Sequence, residues 1–205
     1  EEGWFETRAR LLIDSGDLVR AEAMARGARS AGLTALAVRL DDAIAASRRR
    51  QLGLDAIERA RQLLAAGRER EGQAELRRAA ELDPTNGRAR LMLADRLRLT
   101  GDFAGAESAI ARGRESPDPE IRAEAAGVAG MLELVRQRPL AAAEHFREAE
   151  RLSPRLAQNY VLEARACIAA GDQAAARDAV SRGLVALPGD PTLLALRAEL
   201  GGKGR

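Results

Sequence analysis

The chain of 205 residues holds one cysteine, Cys167, one histidine, His145, and one lysine, Lys203. That inventory restricts the chemistry. A thiolate nucleophile needs exposure and a basic neighbour, whereas Cys167 falls at a helix packing position and reads as a buried thiol. His145 precedes Phe146 on a helical stretch, has no nucleophile at triad spacing, and reads as a solvated helix residue. One His and one Cys make a zinc site only with several carboxylates, and nothing here has metal-ligand spacing. The lone lysine lies in the C-terminal tail, so no Gly-rich phosphate loop with its Lys exists. A single Cys also precludes a disulfide within the chain. Neither a catalytic set, a metal site nor a cofactor is expected.

What remains is arginine, carboxylate and apolar surface. Basic residues number 33 and acidic residues 31, a net charge of +2. Apart from Lys203 every basic residue is an arginine, and the arginines alternate with Glu and Asp. The only dense basic run is Arg48-Arg49-Arg50. Tracking a phosphate backbone requires an uncompensated stripe, so no nucleic-acid partner is expected. Uniform Arg usage with abundant Ala looks like a G+C-rich coding bias and suggests a bacterial source. Aromatics are only 2% and hydrophobic residues 46%, the profile of a helical protein rather than a β-sandwich or barrel. No apolar run approaches 18 residues, so no membrane helix lies in this stretch. The opening Glu1-Glu2-Gly3-Trp4 has neither an initiator Met nor a signal-peptide core, as in a processed or excised part of something longer. Cytosol and periplasm both suit one cysteine.

The elements that must position these groups recur. Gly-Asp-x-x-x-Ala occurs at Gly16-Asp17 to Ala21, Gly101-Asp102 to Ala106 and Gly171-Asp172 to Ala176, with Gly67 in a weaker copy. Gly67 precedes Gly101 by 34 residues, and Gly101 precedes Gly171 by 70. Leu82-Asp83-Pro84, Leu152-Ser153-Pro154 and Leu187-Pro188 repeat with the same spacings. Gly supplies a left-handed helix C-cap. Asp accepts from the free N–H groups of the next helix, Ala allows a close crossing, and Pro stops the second helix. Each unit reads helix, tight turn, helix, tight turn.

The pattern resembles the tetratricopeptide repeat family, whose period is 34 residues. In 157–190, Tyr160, Ala164, Gly171, Ala176, Gly183 and Pro188 fall on its large, small, turn and terminal positions. Residues 87–120 carry Leu93-Ala94, Leu97, Gly101-Asp102-Phe103, Ala106 and Ile110. Residues 53–86 carry Ala60, Leu63, Gly67, Leu76, Ala79 and Pro84. Residues 123–156 carry Ala129-Gly130, Ala142, Phe146, Ala149 and Pro154, preceded by two extra residues. There Gln137-Arg138-Pro139 replaces Gly-Asp, and an irregular turn is expected. The resemblance implies an all-α, right-handed superhelical solenoid of antiparallel helix hairpins, with four repeats over 53–190. Residues 1–52 form a divergent hairpin (Trp4, Phe5, Ala9, Leu12, Ala21) plus a connecting helix with Leu36, Leu40 and Ile44. That helix either runs through Gly53 into 54–66 or turns near Arg50; the lack of Pro or a strong cap favours one long helix. In 191–205, Pro191, Leu193, Leu194, Leu196 and Leu200 read as a capping helix, and Gly201 to Arg205 as a loose tail.

Stacked helix pairs leave a concave face lined by the first helix of each unit. By that placement the groove holds Leu54, Ile57, Arg61 and Leu64, then Arg88, Leu91, Asp95, Arg98 and Leu99. It continues with Glu124, Met131, Leu134 and Val135, then Gln158, Val161, Arg165 and Ile168. Apolar anchors with Arg61, Arg98 and Arg165 between them suit an amphipathic helix or an extended segment carrying carboxylates; Met131 adds adaptability. The competing reading of each apolar position is inter-repeat core. Some family members clamp a C-terminal carboxylate with Lys and Asn, but the corresponding places hold Ile57 and Arg61, so that clamp is absent. The expected function is a non-catalytic scaffold binding a partner protein or peptide in the groove. Two alternatives stand beside it. One is self-assembly into homo-oligomers through Trp4, Phe5 and the 193–200 helix; the other is the interaction module of a larger enzyme or regulator.

Overall fold

A computed structural model describes residues 2–84 and 86–202. These form eleven helices and no strand. The chain divides into two compact units, Glu1–Pro84 and Thr85–Arg205.

The first unit contains α1 (Glu2–Asp14), α2 (Leu18–Ser30), α3 (Thr34–Ala65) and α4 (Glu69–Leu82). Helices α1 and α2 meet along Ala9, Ala21, Ala25 and Ala28, all fully buried, and close on Leu36, Leu40 and Ile44 of α3. Methyl-sized seams let backbones approach closely, and the bulkier α3 residues fill the remaining space. Helix α3 is continuous through Gly53 for 32 residues. Its N-terminal half packs on α2 and its C-terminal half on α4. Gly53 is buried where α4 ends, with room for a Cβ only 3.4 Å from that of Asp83. Trp4 and Phe5 divide their work: Phe5 lies against Gly27 inside the hairpin, while Trp4 is 56% exposed and stacks edge-on to Phe5.

The second unit contains three hairpins and a final helix: α5 (Gly87–Leu99) with α6 (Phe103–Arg114), α7 (Pro119–Val135) with α8 (Pro139–Leu152), α9 (Ala157–Ala169) with α10 (Gln173–Ala186), then α11 (Pro191–Gly202). Its core is built on Phe146, Tyr160, Val161, Cys167, Val180 and Leu193. Glycines stand where neighbours come closest: Gly113 against Leu91, Gly130 against Phe146, and Gly183 against Tyr160 and Leu193. Leu193, Leu196 and Leu200 of α11 are buried and cover the α9–α10 hairpin. The leucines expected at this apolar end are therefore used internally, except Leu194, which remains exposed. Of the tail, Lys203 to Arg205 lie outside the described residues, and α11 extends through Gly201.

The turn chemistry follows the spacing. Gly16, Gly67, Gly101 and Gly171 all have φ between 73 and 83°. The carboxylates of Asp17, Asp102 and Asp172 accept from Arg20, Gly105 and Ala175 N–H at 3.2, 2.9 and 2.9 Å. The α7–α8 turn corrects the expected irregularity. Gln137 takes φ 60°, and Arg138 N–H donates to Glu133 C=O at 2.9 Å, just as Asp102 N–H donates to Leu97 C=O at 2.9 Å. A glutamine thus makes the glycine turn, at a cost of about 1 kcal/mol or more. Arg136 beside it holds Glu107 and Glu133 at 2.6 and 3.1 Å and covers the Phe103 ring, which clamps α6 to α7.

Candidate binding cleft

The first helices of the second unit do not pack evenly. Helix α5 lies against α7, helped by Gly87, where a Cβ would come within 2.3 Å of Ile121. Helices α7 and α9 approach each other far less closely. Between them opens a cleft of about 590 Å³. Its floor and walls are Ala123, Gly127, Val128 and Met131 of α7 with Leu156 and Leu162 from the start of α9. Gly127 faces open space, with no atom within 4 Å of where a Cβ would stand. The rim is polar: Arg88 on α5, Glu120 and Glu124 on α7, Ser153 and Arg155 in the α8–α9 turn, and Asn159.

The rim carries charges of both signs, Arg88 and Arg155 with Glu120 and Glu124. Several arginines and carboxylates pair between helices, as in Arg48–Glu22, Arg59–Glu75 and Arg114–Glu148 at 2.7 to 3.0 Å. Among the described residues, Arg88, Glu120, Glu124 and Arg155 make no such pair. Glu124 can be reached from solvent, yet the recess strips water from its carboxyl and pushes its pKa up; Arg88 opposes that shift only in part.

The anticipated groove residues scatter. Ile57, Leu91 and Val161 are interior side chains. Leu64 packs over Gly72 of α4, and Leu134 and Ile168 over the second unit's core. The three arginines of the series differ in setting. Arg61 is exposed beside Glu58. Arg98 is 8% exposed and folds back on Asp95 of its own helix at 2.6 Å. Arg165 is exposed but does not line the cleft. Ile57, Arg61 and Leu64 belong to the first unit, the other residues to the second. Met131, with Arg88 and Glu124 from the wider set, does line the cleft. On α9 the lining falls to Asn159 and Leu162, one position beyond Gln158 and Val161. The reason is that Val161 rotates into the core.

One cluster had no sequence signal beyond a Glu among apolar neighbours. Glu163 is 0% exposed. It receives Arg147 of α8 at 2.7 Å and Arg182 of α10 at 2.7 Å. Arg182 also grips both oxygens of Glu150, at 3.0 and 3.1 Å, and pairs with Asp178. Burial, then contact with Glu150, raises the Glu163 pKa against the pull of the two guanidiniums. Tyr160 donates to the Pro154 carbonyl at 3.1 Å. The network ties three helices together behind the cleft. Cys167 is buried and burial raises its pKa. His145 is half-buried rather than solvated: Arg114 Nη2 donates to its Nδ1 at 2.9 Å, placing a neutral ring's proton on Nε2.

Residues 63–126 match the family model described as Tetratricopeptide repeat. Over those 64 residues the chain is similar to the tetratricopeptide repeat family. Solved tetratricopeptide-like structures match along almost the whole chain. PilF of Pseudomonas aeruginosa is 16% identical, with 98% of this chain and 83% of that one covered and a TM-score of 0.57. PilW, a type IV pilus biogenesis factor, is 17% identical over 95% of this chain and 97% of its own, with a TM-score of 0.57. YrrB, described as having an unusual peptide-binding site, is 19% identical over 95% and 90%, with a TM-score of 0.52. No curated protein matches the sequence. At these identities the likeness establishes the repeat solenoid fold of the chain.

Proposed function

We propose that this chain is a non-catalytic scaffold that docks a segment of a partner protein against α5, α7 and α9, with the α7–α9 cleft receiving an anchoring side chain. The cleft itself carries the reading: an apolar recess with a polar rim, open at Gly127, on the first helices of successive hairpins. Burying one Leu- or Met-sized anchor yields about 1.5–3 kcal/mol. A micromolar complex needs about 8 kcal/mol. The bound segment therefore extends beyond the cleft, across neighbouring first helices. Met131 can re-pack around differently shaped anchors.

Photo-crosslinking tests this. A benzophenone amino acid at Gly127 in the cleft should give a discrete protein adduct in the native host, lost when Met131→Asp is added. The same group at Val185, exposed on α10, should not give that adduct. An identical adduct from both positions, or none from Gly127, would defeat the proposal.

A further inference from the structure

We infer that the segment docked in the α7–α9 cleft is an extended strand rather than a helix, laid with its main chain over Gly127 and with one peptide N–H donated to Asn159 Oδ1. The inference rests on the cleft being the docking site. Two independent features of the cleft carry it: a buried amide with an idle acceptor, and a glycine that no internal contact requires.

Asn159 stands in the first turn of α9 and lines the cleft, yet it is only 5% exposed. Its Nδ2 donates to the Ser153 carbonyl at 3.4 Å, which turns the nitrogen end of the amide toward the α8–α9 turn. Among the described residues nothing donates to Oδ1. The other buried polar side chains are all engaged. Arg98 is paired with Asp95, Glu150 and Glu163 share Arg182, and Gln73 and Asp83 have partners. While the cleft is open, water can serve the Asn159 oxygen. A segment that fills the cleft expels that water, and an acceptor left bare in a recess weakens binding. The occupant must therefore bring a donor. Beyond its first turn a helix consumes its N–H groups in its own ladder, whereas an extended chain presents them unpaired.

A polar side chain on a helix could also supply a donor, but it would not account for Gly127. A glycine inside a helix weakens it relative to alanine. Elsewhere such glycines stand against a neighbour, as Gly72 does against Leu64, Gly113 against Leu91 and Gly183 against Tyr160. Gly127 meets nothing within 4 Å and lines the same cleft as Asn159. A missing side chain there lets a second backbone come against α7, whereas an apolar side chain docking alone would gain from a methyl group at that position. Successive side chains of a strand point to opposite sides, so the anchor can drop onto Met131 and Leu162.

The test uses the full chain and a phage-displayed library of random twelve-residue peptides, selected for the wild type and against Gly127→Leu, which plugs the cleft. In each winner every peptide bond in turn is replaced by an ester, which removes one N–H donor without adding bulk. By fluorescence anisotropy one such ester should weaken binding to the wild type about tenfold, as for one lost hydrogen bond, and binding to Asn159→Ala less than about twofold. Gly127→Ala should bind the unmodified peptides at least about fivefold more weakly, because its methyl holds the strand off α7. Circular dichroism establishes that the variants fold. If no peptide distinguishes wild type from the plugged variant, the docking reading itself fails. If cleft-dependent peptides tolerate an ester at every bond, lose as much with Asn159→Ala, or bind Gly127→Ala as well as the wild type, docking stands and the inference is overturned.

Discussion

Gly127 and Gly130 lie on the same helix, three residues apart, and replacing each by alanine should move stability in opposite directions. A glycine inside a helix costs about 0.5–1 kcal/mol relative to alanine, through backbone entropy. At Gly127 nothing opposes that gain, because the added methyl enters the open cleft. Gly127→Ala should therefore stabilise the second unit by about 0.5–1 kcal/mol. At Gly130 the methyl would lie 2.6, 2.8 and 2.9 Å from three atoms of the Phe146 ring, whereas carbon atoms prefer about 3.5–4.0 Å. Phe146 is wholly buried, and a core at crystal-like density offers no space for the ring to retreat. Overpacking of this kind costs about 1–3 kcal/mol; three contacts under 3.0 Å place Gly130→Ala in the upper part of that range, a net loss of about 1–2.5 kcal/mol after the helix gain. Urea unfolding followed by circular dichroism reads both as shifts in midpoint at constant slope. If both variants shift the same way, or Gly130→Ala equals the wild type, then the helix spacing that creates the cleft has been misjudged.

Four further outcomes follow from the same geometry. Gln137→Gly should raise stability by about 1 kcal/mol by relieving the left-handed turn, read as a higher unfolding midpoint; no change would mean that Arg136 and its partners absorb the strain. Arg182→Met should destabilise by about 3 kcal/mol, since it leaves Glu163 and Glu150 without their shared cation, and a loss under 1 kcal/mol would show that water enters. For Glu163 the sign follows from its raised pKa: the folded state holds the proton more tightly, so the stability it confers is complete below the unfolded value of 4.5 and is lost as pH rises through the folded one. The advantage of wild type over Glu163→Gln should thus widen as pH is lowered from neutral toward 4.5, and a narrowing gap would contradict it. Cys167, buried with a raised pKa, should react with a disulfide reagent at neutral pH far more slowly than a free thiol and at full speed in denaturant; rapid labelling of the native protein would place it at the surface.

Turns and helix ends were legible because they are local. Gly101-Asp102 and Gly171-Asp172 each encode a left-handed cap and an N-cap within two residues, and no distant contact is needed to read them. The return of Gly, small Ala and Pro about every 34 residues likewise announces stacked hairpins, because each hairpin must bury its apolar face on the next. Gln137 shows where that logic weakens: a preference worth about 1 kcal/mol yields when the packing of α7 on α8 and the Arg136 clamp demand the turn.

The sequence by itself determined that the chain is a run of helical hairpins with arginine, carboxylate and apolar surface as its main chemistry. Only the tertiary structure decided which of those groups face outward. Arg98 had the spacing of a groove residue but turns back on Asp95, Val161 rotates into the core, and Glu163 disappears beneath two arginines. Long side chains choose partners within several ångströms of their backbone, and a helix turned by one residue changes its lining by 100°. Gly87 and Gly130 let α7 approach α5 and α8 closely, while the space at Gly127 stays open.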